Sequence, residues 1–312
     1  MEAVATQPPL SLQGSTAKQL KAFGEFRQRA IDHCTKSGYT EGENACYLNE
    51  ENLARMCIAR SFKEKNAFSM WLKWVHFRRD FEVDSITEES VRKELDKKQA
   101  FIHRHDKEMR PCTVHLPRRH NPKERDVEEM VRCFVLLMEK AAREADALGS
   151  GQCCCLLDME GVTKSNVDKQ AIMAMKRLVG ISQDFYPERL AVLYVLNANA
   201  VFKFAYALVR PFLSKRTKEK IVVLDTQDDL LKYFHPENLL EAHGGSSAYD
   251  FAPVTADGKR IEEGKITESP VDVEGEDFEW LQLKMTEEEL KLIAERDEEE
   301  IGEEEVNSQS AK

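Results

Sequence analysis

Apolar positions recur at helical spacing up to about residue 100 of this 312-residue chain, and then fall into short runs that alternate with helical stretches. In NEENLARMCIARSF, Asn49 can cap a helix that carries Leu53, Met56 and Cys57. KEKNAFSMWLKWVHFRRDF sets Ala67, Met70, Trp71, Trp74, Phe77 and Phe81 on one stripe, with Lys73 and Arg78 on its flanks. That spacing predicts a core-facing helix, and the tryptophan pair reads as packing rather than a stacking platform for nucleic acid. SITEESVRKEL opens another helix, with Thr87 or Ser85 as its cap.

Downstream, FIHRHDKEMRPCTVHL reads as two short strands around a DKEMRP turn. A long helix over VEEMVRCFVLLMEKAAREADAL follows, then a strand at CCCLLDM, a helix through NVDKQAIMAMKRLVGIS and a strand at AVLYVLNA. After a further helix comes the strand IVVLD, and DDLLKYF and PENLLEA read as a last helical pair before HGGSSAYDF. This alternation predicts an α/β fold with a mostly parallel sheet behind an N-terminal helical lobe. The expected divisions are a disordered leader over 1–15, the helical lobe over 16–92, the α/β lobe over 93–252 and an acidic tail over 253–312. Within the tail, Thr286 and Glu289 form a capping box for a short helix near 286–300.

One stretch departs from the pattern of a surface helix. In NANAVFKFAYALVRPFLSKRTKEK (197–220), Val201, Phe204, Ala205, Leu208 and Phe212 form one apolar stripe, while Phe202, Tyr206, Val209 and Leu213 cover much of the rest. Pro211 ends or kinks the helix, and four cations, Lys215, Arg216, Lys218 and Lys220, follow at once. A fully buried core helix fits this pattern. So does a helix with the sheet on one side and something removable, such as lipid, on the other. Periodicity does not choose between them.

Charge alters the picture once it is divided along the chain. The net charge is −11, but 20 of the 56 acidic and only 7 of the 45 basic residues lie from Phe251 onward. The body is thus near neutral at +2 and the tail carries −13, either as a solvated segment or as the seat of a partner-binding helix. The longest apolar run, LAVLYVL (190–196), falls far short of the ~20 residues that span a bilayer. MEAVATQPPL lacks the basic and apolar regions of a signal peptide, so an intracellular, cytoplasmic protein is expected. Eight cysteines without a CxxC pair read as small buried thiols.

Searches for chemistry find little. There is no GxGxxG or GxxxxGK[ST] cradle, so no nucleotide cofactor is expected. HGGSSA (243–248) is the nearest approach to a nucleophile elbow, but it follows a helix rather than a strand, and Ser246 reads as part of a glycine turn. His103, His105, His115 and His120 have no evident third metal ligand and read as a wet strand edge. Asp158, at the carboxyl end of a strand, reads as structural or as a helix cap. No catalytic constellation and no metal site are expected.

The segments LARMCIARSF, DMEG, FYPERLAVLYVLNANAVFKFAYALVRPFL, SKRTKEKIVVL and PENLLEAHGGSS resemble the CRAL-TRIO lipid-transfer family, and within it the phosphatidylinositol-transfer branch. The resemblance covers about residues 45–250 in the family's order. It implies an α/β lobe that encloses one phospholipid, a hydrophobic gate helix that opens at a membrane, and a carrier rather than an enzyme. The gate and cavity positions are Val201, Phe202, Phe204, Ala205, Leu208, Val209, Phe212 and Leu213.

The resemblance also assigns a headgroup set. The family's Arg-Ala-Arg-Lys-Phe arginine falls on Arg60, its Tyr-Pro-Glu-Arg glutamate on Glu188, and its Thr-x-x-Lys pair on Thr217 and Lys220. A phosphodiester leaving water needs cations and hydrogen-bond donors, which Lys220, Arg60 and Thr217 can supply. A carboxylate can accept inositol hydroxyls. Lys215, Arg216 and Lys218 are then left for an anionic membrane surface. The chain departs from the family where Ser61 replaces a lysine, and where two tyrosines that serve phosphatidylcholine give way to Ile102 and Thr113. The hydroxyls after the Asp-x-x-Gly turn are retained as Thr163 and Ser165, so a second lipid stays open. The expected ligand is phosphatidylinositol, with another hydrophobic molecule (a sterol, retinoid or tocopherol) as the alternative and a scaffold acting through the tail as a third reading. The expected partners are that lipid and, transiently, a membrane; no nucleic acid is expected.

Overall fold

The computed structural model describes residues 9–37 and 47–248, so the expected tail, its helix near 286–300 and the lobe's end at 252 lie outside the described residues. The chain divides into two compact units, Met1–Ile86 with Ile181–Arg189, and Thr87–Gly180 with Leu190–Lys312. The return of 181–189 to the first unit is invisible to a reading that takes the sequence in order.

In the first unit, α1 (Ala17–Ser37), α2 (Glu50–Ala59) and α3 (Glu64–Asp80) bury a common core. Phe26, Ala30 and Cys34 meet Leu53, Met56 and Cys57 from α2, and Ala67, Met70, Trp71 and Trp74 from α3. Asn49 accepts the N–H of Asn52 at 3.0 Å, as its capping position requires. The Trp71 indole donates to the Tyr47 carbonyl at 2.9 Å, which satisfies its one polar atom inside the core. Phe77 stacks on Phe185 with ring centroids 3.9 Å apart.

Two expectations fail here. Arg78 was placed on a flank, yet it is buried, paired with Asp84 and set against the Trp74 ring. A long guanidinium stem can lie within an apolar interface when its head finds a carboxylate. Residues 9–15, expected within a disordered leader, are folded: Leu10–Leu12 form a 3₁₀ turn, Leu12 is buried, and Glu51 accepts the Leu10 N–H.

In the second unit, SITEESVRKEL breaks into a 3₁₀ turn (Glu89–Val91) and the short α4 (Arg92–Asp96). Thr87 supplies the cap, accepting the Ser90 N–H at 3.2 Å, while Ser85 donates to the Glu82 carbonyl instead. The sheet has five strands in sequence order: β1 (Ala100–His105), β2 (Pro111–His115), β3 (Cys153–Asp158), β4 (Leu190–Leu196) and β5 (Ile221–Val223). Only β1 runs antiparallel, joined to β2 through the DKEMRP turn; the other pairings are parallel.

Parallel neighbours need crossovers, here α5 (Val127–Ala147), α6 (Lys169–Phe185) and α7 (Ala200–Val209) followed by α8 (Lys215–Glu219). Because the strands advance in one direction and such crossovers share one hand, the helices fall on one face of the sheet. Ile102 and Cys153 pack against α5 there, while Leu157, Leu193 and Val195 pack against α6 and α7. The opposite face carries Phe101, Cys112, Val114, Cys154, Leu156, Tyr194 and Leu196. It is covered by Leu224, Leu230, Phe234, Leu239 and Leu240 from the C-terminal strap.

That strap corrects the expected last helical pair. Its segments form 3₁₀ turns only, over Gln227–Lys232, Pro236–Asn238 and Glu241–His243. Runs this short cannot offset helix nucleation, and adjacent Leu239 and Leu240 both turn inward, which a helix does not favour. The seven described cysteines are unbridged, and all but Cys155 are buried.

Candidate functional site

The apolar segment becomes α7 and a 3₁₀ turn over Arg210–Phe212, so Pro211 ends the α-helix where expected. Asn199 caps its start, accepting the Phe202 N–H at 3.0 Å, and its amide donates to the Val162 carbonyl at 2.9 Å. Val201, Phe202, Ala205 and Leu208 pack on the sheet face beneath, at one-turn spacing. Val201, Val209 and Leu213 are buried, whereas Phe202, Phe204, Ala205, Leu208 and Phe212 keep part of their surface open. The Lys176 ammonium of α6 sits 4.4 Å from the Phe212 ring centroid, tying the end of the segment to α6.

The basic end forms α8. Ser214 caps it, accepting the Thr217 N–H at 3.2 Å, with its hydroxyl 2.8 Å from that of Thr217. Lys220 closes the helix, and its carbonyl accepts the Leu193 N–H at 2.8 Å, which fixes it beside β4. Thr217 and Lys220 are half-buried, whereas Lys215 and Arg216 are exposed and Lys218 is half-buried. Of the other headgroup residues, Arg60 ends α2 with its guanidinium 4.0 Å from Asp184, and Glu188 adopts a left-handed backbone with φ 57°. Arg60 and Glu188 belong to the first unit, Thr217 and Lys220 to the second. Thr163 and Ser165 are exposed, share a hydrogen bond of 2.7 Å and shape a 3₁₀ turn through Asn166.

Asp158 proves structural in a way the sequence did not display. It is buried at the end of β3 and gathers donors from four places. They are Arg118 Nη1 at 2.6 Å, Asn197 Nδ2 at 2.9 Å, the Glu160 N–H at 3.0 Å and His243 Nε2 at 3.2 Å. Burial alone would raise its pKa, but these hydrogen bonds outweigh burial and hold the carboxyl well below the usual range. The knot fastens the strap to the carboxyl edge of the sheet. Ser246 is exposed, and among the described residues no hydrogen bond reaches His243 Nδ1, so the HGGSS turn does not assemble a nucleophile–base pair.

The histidines are not a wet edge. His103 is buried, and desolvation, with lesser contributions from Arg104 and His243, pushes it down to about 4. His105 is half-buried, with Nδ1 2.9 Å from the Asp106 carbonyl oxygen. No group of three or more His, Cys, Asp or Glu among the described residues could hold a metal ion.

His115 lies on the helix-covered face of the sheet, on the same side as Thr113, which pairs in register with Cys155 of β3. His115 and Cys155 each keep part of their surface open. Yet desolvation pushes His115 down to about 4 and Cys155 up to about 12, the latter opposed by a hydrogen bond with Thr113. Both therefore lie in a desolvated part of the helix-covered face that is not fully packed. Ile102, Leu157 and Leu193 on the same face are likewise half-buried, so this part of the face is mainly apolar. Alternation along β2 could have placed His115 on this face, but it could not have shown that the face is left partly unfilled.

Comparison with known proteins gives a consistent picture. A family model described as the CRAL/TRIO domain matches residues 95–245. A SEC14 cytosolic factor from Kluyveromyces lactis is 29% identical over 257 residues, which cover 77% of this chain and 81% of that protein. A phosphatidylinositol/phosphatidylcholine transfer protein, SFH12 of Arabidopsis thaliana, is 29% identical over 74% of this chain and 44% of its own length. Patellin-3 of Arabidopsis thaliana is 28% identical over 62% of this chain, and the match spans only 42% of that longer protein. The crystal structure of Sfh5 superposes with a TM-score of 0.63 at 22% identity, over 76% of this chain and 90% of that one. The last likeness establishes the fold.

Proposed function

From a chain that carries a CRAL/TRIO domain, with homologues among the Sec14 factors, we propose a phosphatidylinositol carrier that exchanges its lipid at membranes. The observation that carries this reading is the apolar face beneath α7, where Leu157 and Leu193 of the sheet and Phe202, Ala205 and Leu208 of the helix pack together yet stay only half-buried. Each acyl methylene moved out of water gains ~0.8 kcal/mol, so an enclosed apolar volume holds a two-chain lipid firmly. Exchange then requires α7 to swing aside, exposing Phe202, Phe204 and Phe212 to the bilayer in place of the chains they covered.

At the headgroup end of the second unit, Lys220 and Thr217 bind the lipid phosphate; Arg60 and Glu188, in the first unit, are carried over by the family resemblance alone. Lys215 and Arg216, which are exposed, meet the anionic membrane surface; Lys218 is half-buried and adds its charge there as α7 opens. Thr163 and Ser165 are the hydroxyls available to a second lipid. No bond is made or broken in this role, and no cofactor takes part. The working place is the cytoplasm with transient visits to membranes. Among the described residues no helix is long and apolar enough to cross one.

Native mass spectrometry of the purified full chain tests the proposal. A co-purifying mass equal to phosphatidylinositol is expected, and a non-phosphorylated lipid as the sole occupant would defeat it.

A further inference from the structure

The positive charge of the body is concentrated on one surface. Residues 201–220 hold six cations (Lys203, Arg210, Lys215, Arg216, Lys218 and Lys220) against Glu219 alone, a net +5, whereas residues 1–250 together carry +2, which leaves the rest of the body at −3. Lys203, Ala207 and Arg210 are exposed along one face of α7 and its 3₁₀ extension, and Lys215 and Arg216 are exposed at the start of α8. Among the described residues neither Lys203 nor Arg210 has an ion pair, whereas cations elsewhere take nearby carboxylates, as Lys140 does with Glu88 and Arg177 with Glu128. The surface is not purely cationic. Phe204 and Tyr206 are half-buried on α7, and Met173 of α6 is 48% exposed, one turn from the Lys176 that sits against Phe212.

The matching charge is in the tail. Residues 266–283, ITESPVDVEGEDFEWLQL, carry six carboxylates and no Lys or Arg, interleaved with Val271, Val273, Phe278, Trp280 and Leu281. Acidic and aromatic side chains in one stretch complement a face that is cationic and partly aromatic, since rings also lie well over ammonium and guanidinium groups. The stretch 287–305 is richer in carboxylates, but it includes Lys291 and Arg296 and has no aromatic residue. Reach is no obstacle. The described residues end at Ala248, and the 17 residues 249–265 have a contour length of about 55–60 Å. The five-stranded sheet is only about 20 Å across and its longest strand about 23 Å, so both faces lie within that length. A tether of this kind also raises the effective concentration of the segment at the surface towards the millimolar range.

We propose that residues 266–283 dock on the basic face of α7 and α8 of the same chain. Carboxylates of the segment meet Lys203, Arg210 and Lys215, while Phe278 and Trp280 lie over the apolar side chains between them. The regulatory consequence rests on the reading that this face meets an anionic membrane. Tail and bilayer then compete for the same cations: a neutral membrane leaves α7 covered, and an anionic one displaces the tail and frees it.

Zero-length carbodiimide cross-linking of the purified full chain, read by peptide mass spectrometry, tests the dock. Carboxylates of 266–283 should join Lys203, Lys215 or Lys218, and about 0.5 M salt, or vesicles about one-third phosphatidylserine in phosphatidylcholine, should lower the yield at least ~3-fold. Vesicle sedimentation gives a second readout. Glu274→Gln, Glu276→Gln, Asp277→Asn and Glu279→Gln together should tighten binding to the same vesicles by about 5- to 30-fold, the yield of a few exposed ion pairs. Glu298→Gln, Glu299→Gln, Glu300→Gln and Glu303→Gln remove equal charge and should change binding by less than ~3-fold. Thermal melts check that both variants fold, and the wild-type cross-links stand as a test without them. Cross-links scattered over lysines of the whole body, cross-links formed only between mixed light and isotope-labelled copies, or equal tightening by the two variants would overturn the dock. Specific cross-links without binding of any of the proteins to anionic vesicles would instead remove the membrane reading and leave the dock standing.

Discussion

Replacing Asp158 by alanine strips one acceptor from four donors at once. Arg118 loses its ion pair at 2.6 Å inside the fold, and the Asn197 amide, the Glu160 N–H and His243 Nε2 lose their acceptor. Breaking a buried pair from one side costs about 3–5 kcal/mol, because the remaining charge stays desolvated. For a chain of this size about 1 kcal/mol moves Tm by ~2–4 °C, so Asp158→Ala should melt roughly 10 °C below wild type at pH 7. Circular dichroism melts across pH separate this mechanism from simple loss of packing. The folded carboxyl has a depressed pKa, so its contribution is complete above the unfolded value of ~3.9 and is lost as pH falls through the folded one. The gap between wild type and variant should therefore be constant from pH 7 to 5 and narrow on further acidification. A shift below about 2 °C at pH 7, or a gap that widens in acid, would show that the knot does not hold the strap.

Two further substitutions probe neighbouring parts. A Cβ at Gly245 would lie 2.1 Å from the Leu239 carbonyl oxygen, so Gly245→Ala must displace backbone and should cost about 1–3 kcal/mol or more. Gly244→Ala meets only the flexible Gln227 side chain and carries φ +79°, so a loss of about 1 kcal/mol is expected; urea melts in which the two ranked the other way would contradict this packing. Lys176→Met removes the ammonium from the Phe212 ring at little cost in volume. At about 0.5–1 kcal/mol the contact is worth a two- to five-fold faster release of bound lipid into acceptor vesicles. A rate unchanged from wild type would mean that Lys176 does not hold α7 closed.

Much of the fold was legible because the central strands are covered on both faces. LAVLYVL reads as a continuous apolar run, and CCCLLD nearly so, as strands of a parallel sheet must. The helical stripe of α3 was equally plain, apart from Arg78, whose burial depends on Asp84 and the Trp74 ring rather than on spacing. The strap was misread because its leucines obey helical composition while their partners lie on the outer face of the sheet. Asp158 and His243 are 85 residues apart, and nothing local signals that they meet. Arg60, Glu188, Thr217 and Lys220 were legible only through family resemblance. His115 was visible as a residue, but its desolvation depends on the packing of helices over the sheet.

Phosphatidylinositol transfer between labelled donor and unlabelled acceptor vesicles tests the central claim most directly when wild type is compared with Lys220→Ala. Wild type should move the lipid, and the variant, folded and with an unchanged melting temperature, should lose transfer by at least ~10-fold, as expected for removal of a charge-assisted bond to phosphate. Equal transfer by the two proteins, or none by wild type, would contradict it.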